Sequence, residues 1–194
     1  MTATTAALVA AFAALAGDVR RDGFVPALER RYCMAPAAAS PLTLAITELG
    51  GRTVAGSALL VCGAVAWARG PERGRACAVR FLITISGRAV MARLVRRRRP
   101  PRGWWQQSPT GFSFPSRHTT WAMLAADEAV AALPGGARRW ARLGQVALVA
   151  SVGMSRVAVG VHWPSDVVGA LLWEECCRRG GRWFRMHKAR EEAG

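Results

Sequence analysis

Lysine is almost missing from this chain of 194 residues, because Lys188 is the only lysine among 27 basic residues. Acidic residues number only 12, so the formal net charge is +15. Part of the arginine content reflects a compositional bias, but such a surplus also suits a nucleic acid, an anionic membrane surface or an anionic substrate. No recognisable nucleic-acid motif is present, and the tryptophans lie near the ends of apolar runs. A nucleic-acid partner is therefore not predicted.

Paired cysteines and targeting signals are also lacking. The five cysteines are odd in number and form no CxxC pair, which argues against a disulfide framework and a zinc site. The apolar stretch within residues 1–17 is not preceded by basic residues and is not followed by a small-residue cleavage site. A cleaved signal peptide is therefore not predicted.

Apolar segments are abundant, and they predict the fold. Hydrophobic residues make up 52% of the chain, and its length favours a single domain over residues 1–194. Six segments separated by Gly, Pro and Arg clusters predict an all-α bundle of six helices. They are Ala6–Gly17, Val54–Ala68, Ala76–Val95, Thr119–Leu133, Leu143–Val161 and Val167–Trp173, the last extending toward Cys177.

Hydropathy alone leaves open whether this bundle spans a membrane. Several segments are shorter than a bilayer crossing and the third contains Arg80 and Arg88, so a water-soluble bundle is an alternative. Two patterns favour a multi-pass membrane protein. Tryptophans lie near segment ends, where indoles favour the bilayer interface, and the amphipathic stretch Asp18–Pro41 suits a position along that interface. If the segments alternate, one side collects the arginines at 69, 73, 75, 80, 138, 139 and 142 and the basic tail 178–194, and the positive-inside rule makes it cytoplasmic.

The opposite side receives three clusters that carry chemistry: Arg93–Pro100, Pro115–His118 and Ser155–Asp166. The arginine cluster in RLVRRRRPPR breaks the orientation rule, which suggests that it binds an anion. In FPSRHTTW, a capped helix start would offer free backbone N–H groups to a phosphate beside His118, although it could equally be an ordinary cap. In SRVAVGVHWPSD, the Asp166 carboxylate could orient the His162 imidazole as a nucleophile, with Arg156 as a fork for phosphate oxygens.

Together the three clusters resemble the signature of the type 2 phosphatidic acid phosphatase superfamily, K-x6-R-P, then P-S-G-H, then S-R-x5-H-x3-D. The third motif is complete as Ser155, Arg156, His162 and Asp166. The second motif is PSRH, with Arg117 in place of glycine, and the first keeps Arg99 and Pro100 but has Ala92 at the lysine position. The motifs span residues 92–166.

The resemblance implies a helical membrane phosphatase that needs no metal or other cofactor. By this likeness His162 would attack phosphorus, Asp166 would orient it, and His118 would protonate the leaving oxygen and then activate water. Arg99, Arg156, Ser116 and the backbone N–H of Arg117 would hold the phosphoryl oxygens.

The lysine position needs a substitute, since losing one charged contact to the transferring group costs on the order of 2 to 4 kcal/mol. Arg93 is adjacent to Ala92, while Arg88 and Arg96 lie one helical turn away on the same face. The hypothesis from the sequence is that Arg93 takes the lysine's role, with Arg96 second.

The leading functional prediction is a cell-membrane phosphatase acting on a phosphorylated lipid, such as an isoprenyl monophosphate or diphosphate or a phosphatidate-like lipid, with its site on the extracytoplasmic face. Hydrolysis of a smaller phosphorylated biosynthetic intermediate is the second candidate. Two other classes are a haloperoxidase-like site in which His162 coordinates vanadate, and an anion-binding homologue weakened or silenced by loss of the lysine.

Overall fold

The structure, a computed structural model, describes the backbone of residues 2–191 and the side chains of residues 2–181. This part of the chain contains eight α-helices and no strand. The helices are α1 (Ala3–Arg20), α2 (Phe24–Tyr32), α3 (Pro41–Glu48), α4 (Arg52–Ala68), α5 (Pro71–Val95), α6 (Arg117–Ala132), α7 (Gly135–Ala158) and α8 (Pro164–Glu191). The side chains of the basic tail after residue 181, with Trp183, lie outside the described residues.

The all-α prediction is confirmed, and the six apolar segments correspond to α1 and to α4 through α8. Two short helices were not predicted as such. Helix α2 lies inside the amphipathic stretch Asp18–Pro41, and α3 directly precedes α4. Helix α8 continues to Glu191, well beyond the apolar segment that ends near Cys177, because its later turns are rich in arginine rather than apolar residues.

Local sequence signals explain where several helices begin. Ser40 accepts a hydrogen bond from the Thr43 backbone N–H, and Pro41 occupies the first turn of α3, where a missing N–H costs nothing. Helix α8 starts at Pro164 for the same reason. These signals fix the helix starts independently of the packing between helices.

Helix α6 lies at the centre of the bundle and packs against α4, α5, α7 and α8. One core cluster joins it to α4 through Leu59 and Leu124, and Phe81 of α5 packs at its edge. A second cluster joins α1 to the segment before α6, where the Phe12 ring stacks on Phe114 with 6.1 Å between ring centroids. Helix α6 and the segment before it are therefore held by two separate core clusters.

The outer surface of the bundle is strongly apolar. Helix α1 and the stretch Pro41–Ala68 have 18-residue windows with mean hydropathies of 1.3 and 1.5, and only 17% and 22% of those windows are buried. Leu60, Val146 and Met154 are 77%, 69% and 72% exposed. A water-soluble bundle would hide such side chains, so this surface suits contact with lipid.

Candidate active site

The three sequence clusters meet at one end of the bundle. The end of α5, the start of α6, the end of α7 and the start of α8 all lie there, and the residues between them line a cavity of about 360 Å³. Its lining contains five of the predicted site residues, namely Arg99, Arg117, His118, Arg156 and His162. Residues separated by more than sixty positions in sequence thus share one polar cavity.

His162 and Asp166 form a buried pair between α7 and α8. The Nδ1 atom of His162 lies 3.1 Å from Oδ2 of Asp166, and this carboxylate is fully buried. The same oxygen accepts hydrogen bonds from the Trp163 backbone N–H, at 2.8 Å, and from the Ser113 hydroxyl. These donors hold the carboxylate in an orientation that leaves it an acceptor for the imidazole.

The turn that carries His162 depends on Gly160. This glycine has a φ of +72°, and a Cβ added to it would lie 2.0 Å from the backbone oxygen of Trp104. Any side chain here would therefore both strain the backbone and displace the neighbouring loop. The glycine lets the chain reverse within a few residues and places His162 over the cavity.

The contacts of His162 determine which ring nitrogen carries the proton. Its Nε2 atom lies 3.1 Å from Nη1 of Arg99, and a guanidinium can only donate. Nε2 is therefore the acceptor, and the proton sits on Nδ1 and is donated to Asp166. Burial lowers the pKa of His162 to about 4, with the bonded Asp166 only partly offsetting this effect. The imidazole is neutral at pH 7, and its Nε2 lone pair accepts from Arg99 at the cavity.

Arg99 is held by backbone carbonyl groups rather than by a carboxylate. Its guanidinium donates to four carbonyl oxygens at 2.7 to 3.1 Å, those of Val161, Gly111, Thr110 and Phe112. Among the described side chains it forms no ion pair. Burial lowers the pKa of Arg99 to about 10, which leaves it charged at neutral pH. Arg99 thus presents a fixed positive charge to the cavity without a directly bonded carboxylate.

Arg156 is positioned from α3, the helix that the sequence did not predict. Its Nη1 atom donates to Oγ1 of Thr47 and to Oε1 of Gln107, both at 2.7 Å. Its Nε atom is buried and has no hydrogen-bond partner in the described part of the chain. Ser155 donates to the same Thr47 hydroxyl at 3.0 Å, so the first two residues of the third motif are fixed together.

The second motif begins α6. Ser116 caps this helix, with its hydroxyl 3.5 Å from the Thr119 backbone N–H and 3.0 Å from the Thr119 hydroxyl, and it does not line the cavity. Arg117 and His118 are half-buried, line the cavity and occupy the first turn of the helix, where backbone N–H groups have no partner within the helix. The helix start and His118 therefore face the same space as His162.

Arg93 and Arg96, the residues expected to replace the motif lysine, do not line this cavity. Arg93 is exposed, and Arg96 ends α5 in a left-handed conformation with its side chain bonded to the Arg93 backbone oxygen. Arg88 lies one turn before the buried Ala92 and donates from Nε and Nη2 to the Pro115 backbone oxygen, at 2.9 and 2.8 Å. Arg88 does not line the cavity either, but of the three arginines near Ala92 it is the one bonded to the segment that precedes α6.

A network around Asp166 was missed at the sequence level. Nη1 of Arg97 donates to Oδ1 of Asp166 and to the Ser165 hydroxyl, each at 2.7 Å, and its Nη2 is paired with Glu29. Glu29 also accepts from the Ser165 backbone N–H at 2.7 Å. This network was not predicted because the sequence does not show which arginine of the run is buried: Arg97 is buried, whereas its neighbours Arg96 and Arg98 are exposed. Helix α2 thereby anchors the carboxylate that orients His162.

Glu48 and Gln107 also line the cavity and were not predicted. Among the described residues, no group of three or more His, Cys, Asp or Glu side chains is arranged to hold a metal ion.

Comparison with known proteins places the chain in a family. The PAP2 superfamily matches residues 76–177, which is more than half of the chain and includes all three motifs. The chain therefore belongs to the PAP2 superfamily, and it is a membrane phosphatase, a hydrolase of phosphoric esters.

A solved structure has the same fold. It is described as the crystal structure of the first transmembrane PAP2 type phosphatidylglycerolphosphate phosphatase from Bacillus subtilis. The two chains are 21% identical, the match covers 96% of this chain and 98% of the other, and the TM-score is 0.80. No curated protein matched this sequence.

Proposed function

We propose that this protein is an integral membrane phosphatase that hydrolyses a phosphate ester or diphosphate of a lipid or isoprenoid through a phosphohistidine formed on His162. The observation that carries the proposal is the orientation of His162, whose Nδ1 lies 3.1 Å from Asp166 and whose Nε2 faces the Arg99 guanidinium. An anion that replaced the contact with Arg99 would bring its phosphorus to Nε2.

In the first step Nε2 of His162 forms a bond to phosphorus as the bond from phosphorus to the leaving oxygen breaks. His118, which enters this step as the imidazolium, donates a proton to that oxygen, and the lipid alcohol leaves, or the lipid monophosphate where the substrate is a diphosphate. In the second step the now neutral His118 takes a proton from water as the water oxygen bonds to phosphorus and the bond from phosphorus to Nε2 breaks, which releases inorganic phosphate and regenerates both histidines. Asp166 holds the imidazole and stabilises the positive charge that develops on it.

The phosphoryl oxygens are held by Arg99, Arg156 and Arg117, with backbone N–H groups at the start of α6. Charges fixed before the reaction stabilise an in-line transfer most effectively. Ser116 contributes by capping α6 rather than by touching the substrate, because its hydroxyl is bonded to Thr119. Arg88 supplies the charge of the missing lysine in this scheme, because it is bonded to the segment before α6 whereas Arg93 is exposed.

An apolar groove supports a substrate with a hydrocarbon tail. It lies between α4, α5 and α6, has a volume of about 670 Å³, and runs from Arg52 past Trp121 to Trp67. Trp121 follows Arg117 by one helical turn, so one face of α6 is shared by the polar cavity and the groove. The solved relative is named for a lipid phosphate, phosphatidylglycerolphosphate, which fits this division between headgroup and tail.

In the proposed topology the chain crosses the membrane six times, with α1 and α4 through α8 as spans. The cavity that contains His162, from here on called the catalytic cavity, lies on the extracytoplasmic face. The support for this topology is the arginines Arg69, Arg73, Arg138, Arg139 and Arg142, which lie at the opposite ends of these helices and suit the cytoplasmic side.

Phosphate release from a panel of isoprenyl phosphates, phosphatidates, phosphatidylglycerolphosphate and soluble phosphomonoesters tests the function. We expect release from at least one lipid class, and its loss in His162→Ala but not in His187→Ala, which removes another histidine. Release that survives His162→Ala contradicts the mechanism. Preference for a soluble phosphomonoester supports the second candidate, a small biosynthetic intermediate, and overturns the lipid assignment.

A further inference from the structure

A second charged cavity lies at the end of the bundle opposite the catalytic cavity. It has a volume of about 530 Å³ and is bordered by the end of α4, the start of α5, the end of α6, the start of α7 and part of α8. Six arginines line it against three carboxylates, so the lining carries a surplus of positive charge. Since α5 starts here and ends beside Arg99, the two cavities are separated by the length of that helix.

The inner part of this opposite cavity is neutralised by ion pairs. Arg80 donates to Asp127 at 2.6 Å and to Glu128 at 2.8 Å, and it is also paired with Glu174. Arg142 donates to the other oxygen of Asp127 at 2.7 Å. Asp127 and Glu128 are therefore already paired, and Glu72, the third carboxylate of the lining, is paired with Arg75.

In the outer part of the cavity, backbone carbonyl groups rather than carboxylates hold the arginines, so their charge is not cancelled. Arg69 donates to the Ala132 backbone oxygen at 2.7 Å, and Arg138 donates to those of Leu133 and Ala131 at 2.8 and 3.2 Å. These carbonyls belong to the end of α6 and carry only the partial charge of a helix terminus. Arg73 lines the same space and has no hydrogen bond or ion pair among the described side chains. Three guanidiniums thus surround one opening with most of their N–H donors free.

The position of this opening relative to the bilayer indicates which kind of anion it meets. Trp67 and Trp140 lie beside it on α4 and α7 and are 58% and 70% exposed. Exposed indoles at the ends of apolar helices mark the bilayer interface, where phospholipid headgroups are concentrated. Basic pockets between transmembrane helices are typical binding sites for anionic headgroups.

We propose that the opposite cavity binds the anionic phosphate headgroup of a membrane phospholipid through Arg69, Arg73 and Arg138. This site is separate from the catalytic cavity and does not require that the bound lipid be a substrate. A phosphate diester suits it, because three forked donors can share the two free oxygens of such a group.

Binding of phosphatidylserine to the purified full chain tests this proposal. This lipid is an anionic diester without a terminal phosphate, so a phosphomonoesterase does not consume it. The chain is placed in nanodiscs of phosphatidylcholine with increasing phosphatidylserine, and the bound lipid is counted by native mass spectrometry. We expect Arg73→Gln/Arg138→Gln to weaken binding by about tenfold or more, since two charges near the headgroup are lost.

The matched control for the single variant Arg73→Gln is Arg139→Gln, which removes an exposed arginine at the same end that does not line the cavity. We expect little change in this control. Equal weakening in Arg73→Gln and Arg139→Gln would show general surface attraction and overturn the proposal, as would unchanged binding in Arg73→Gln/Arg138→Gln. If Arg73→Gln/Arg138→Gln does not fold, Arg73→Gln alone decides, because its side chain makes no described contact that folding needs.

A comparison with inorganic phosphate shows whether the bound anion is a lipid headgroup or free phosphate. We expect phosphatidylserine to raise the Tm of the wild type in neutral detergent and to raise it less in Arg73→Gln/Arg138→Gln. Inorganic phosphate can also occupy the catalytic cavity, so we expect whatever Tm shift it causes to be the same in both proteins. A phosphate-induced rise that is lost in Arg73→Gln/Arg138→Gln, with no rise from phosphatidylserine, would overturn the lipid assignment. These measurements use no turnover, so a failure of the proposed phosphatase function would leave their outcome unaffected.

Discussion

The catalytic cavity and the Arg80 cluster both bury arginine inside an apolar bundle, but they hold it in opposite ways. We define the Arg80 cluster as Arg80 with Asp127, Glu128 and Glu174, which surround its guanidinium with three carboxylates. In the catalytic cavity Arg99 is held by four backbone carbonyls instead.

This difference separates a structural arginine from one that can bind a ligand. A guanidinium among carboxylates has its charge cancelled, and the pair stays buried only while all partners remain. A guanidinium held by carbonyls is equally fixed, but its charge still attracts an anion. The same distinction applies to Arg69 and Arg138 in the opposite cavity.

The largest expected effect is on catalysis, from Asp166→Asn. An amide can keep much of the geometry, but it has no negative charge to stabilise the imidazolium that forms, and its NH2 group would have to face a donor, either His162 Nδ1 or the Arg97 guanidinium. We expect kcat to fall by about 10³ to 10⁴-fold, by analogy with the equivalent change in a serine protease triad. Steady-state kinetics on the best lipid substrate measure this, and a loss below tenfold would contradict the role assigned to Asp166.

Breaking the Arg80 cluster should affect stability instead of chemistry. Arg80→Met leaves buried carboxylates without their shared partner, and removing one member of a buried ion pair costs roughly 3 to 5 kcal/mol. We expect a clearly lower Tm in detergent, with kcat per folded molecule retained. A normal Tm combined with lost activity would mean that this cluster, like the catalytic cavity, acts on the substrate.

A smaller effect distinguishes the two candidates for the missing lysine. We expect Arg88→Gln to lower kcat/KM by about ten- to a hundredfold, somewhat less than removal of a direct contact with the developing charge. Arg93→Gln should leave kcat/KM unchanged, because Arg93 is exposed outside the cavity. Partial recovery of kcat/KM in Arg88→Lys would indicate that the positive charge is what matters. A larger loss in Arg93→Gln than in Arg88→Gln would instead support the hypothesis drawn from the sequence, that Arg93 takes the lysine's role.

The smallest expected effect is a change in chain-length preference. Gly63 lines the apolar groove and a Cβ added to it meets nothing within 4 Å, so Gly63→Leu adds an apolar side chain at an open position of the groove. We expect kcat/KM to fall several-fold for long-chain lipid phosphates but not for short-chain ones, in line with the contribution of a few methylene groups. Gly144→Leu, at an equally open position on α7, is the control. An identical change in both variants would exclude the groove as the tail site.

Much of this fold was predictable because its signals are local. Runs of apolar residues correspond to six of the eight described helices, and the spacing from Ser155 to Asp166 placed a histidine and its carboxylate on one turn. Helical periodicity also bears on the proposed choice of Arg88 over Arg93. Residues four apart share a face, whereas adjacent residues point about 100° apart.

Other parts of the site depend on contacts that no local pattern contains. Glu29 and Arg97 are separated by 68 positions in sequence. Arg97 lies in a run of four arginines that the sequence does not distinguish from one another, and nothing in the sequence around Glu29 marks it as the partner of one of them. Thr47 sits in α3, a helix of 8 residues that merges with the apolar run of α4 in the sequence. Only the packing of α2 and α3 against the catalytic end reveals what these residues do.

Trapping the intermediate shows whether His162 Nε2 becomes bonded to phosphorus. The enzyme is mixed with a lipid phosphate carrying radiolabelled phosphorus, quenched in denaturant at high pH and digested, and the labelled peptide is sequenced by mass spectrometry. We expect an alkali-stable, acid-labile label on His162 that is absent in His162→Ala. A label on another residue, or sustained turnover with no labelled protein, would contradict the proposed mechanism.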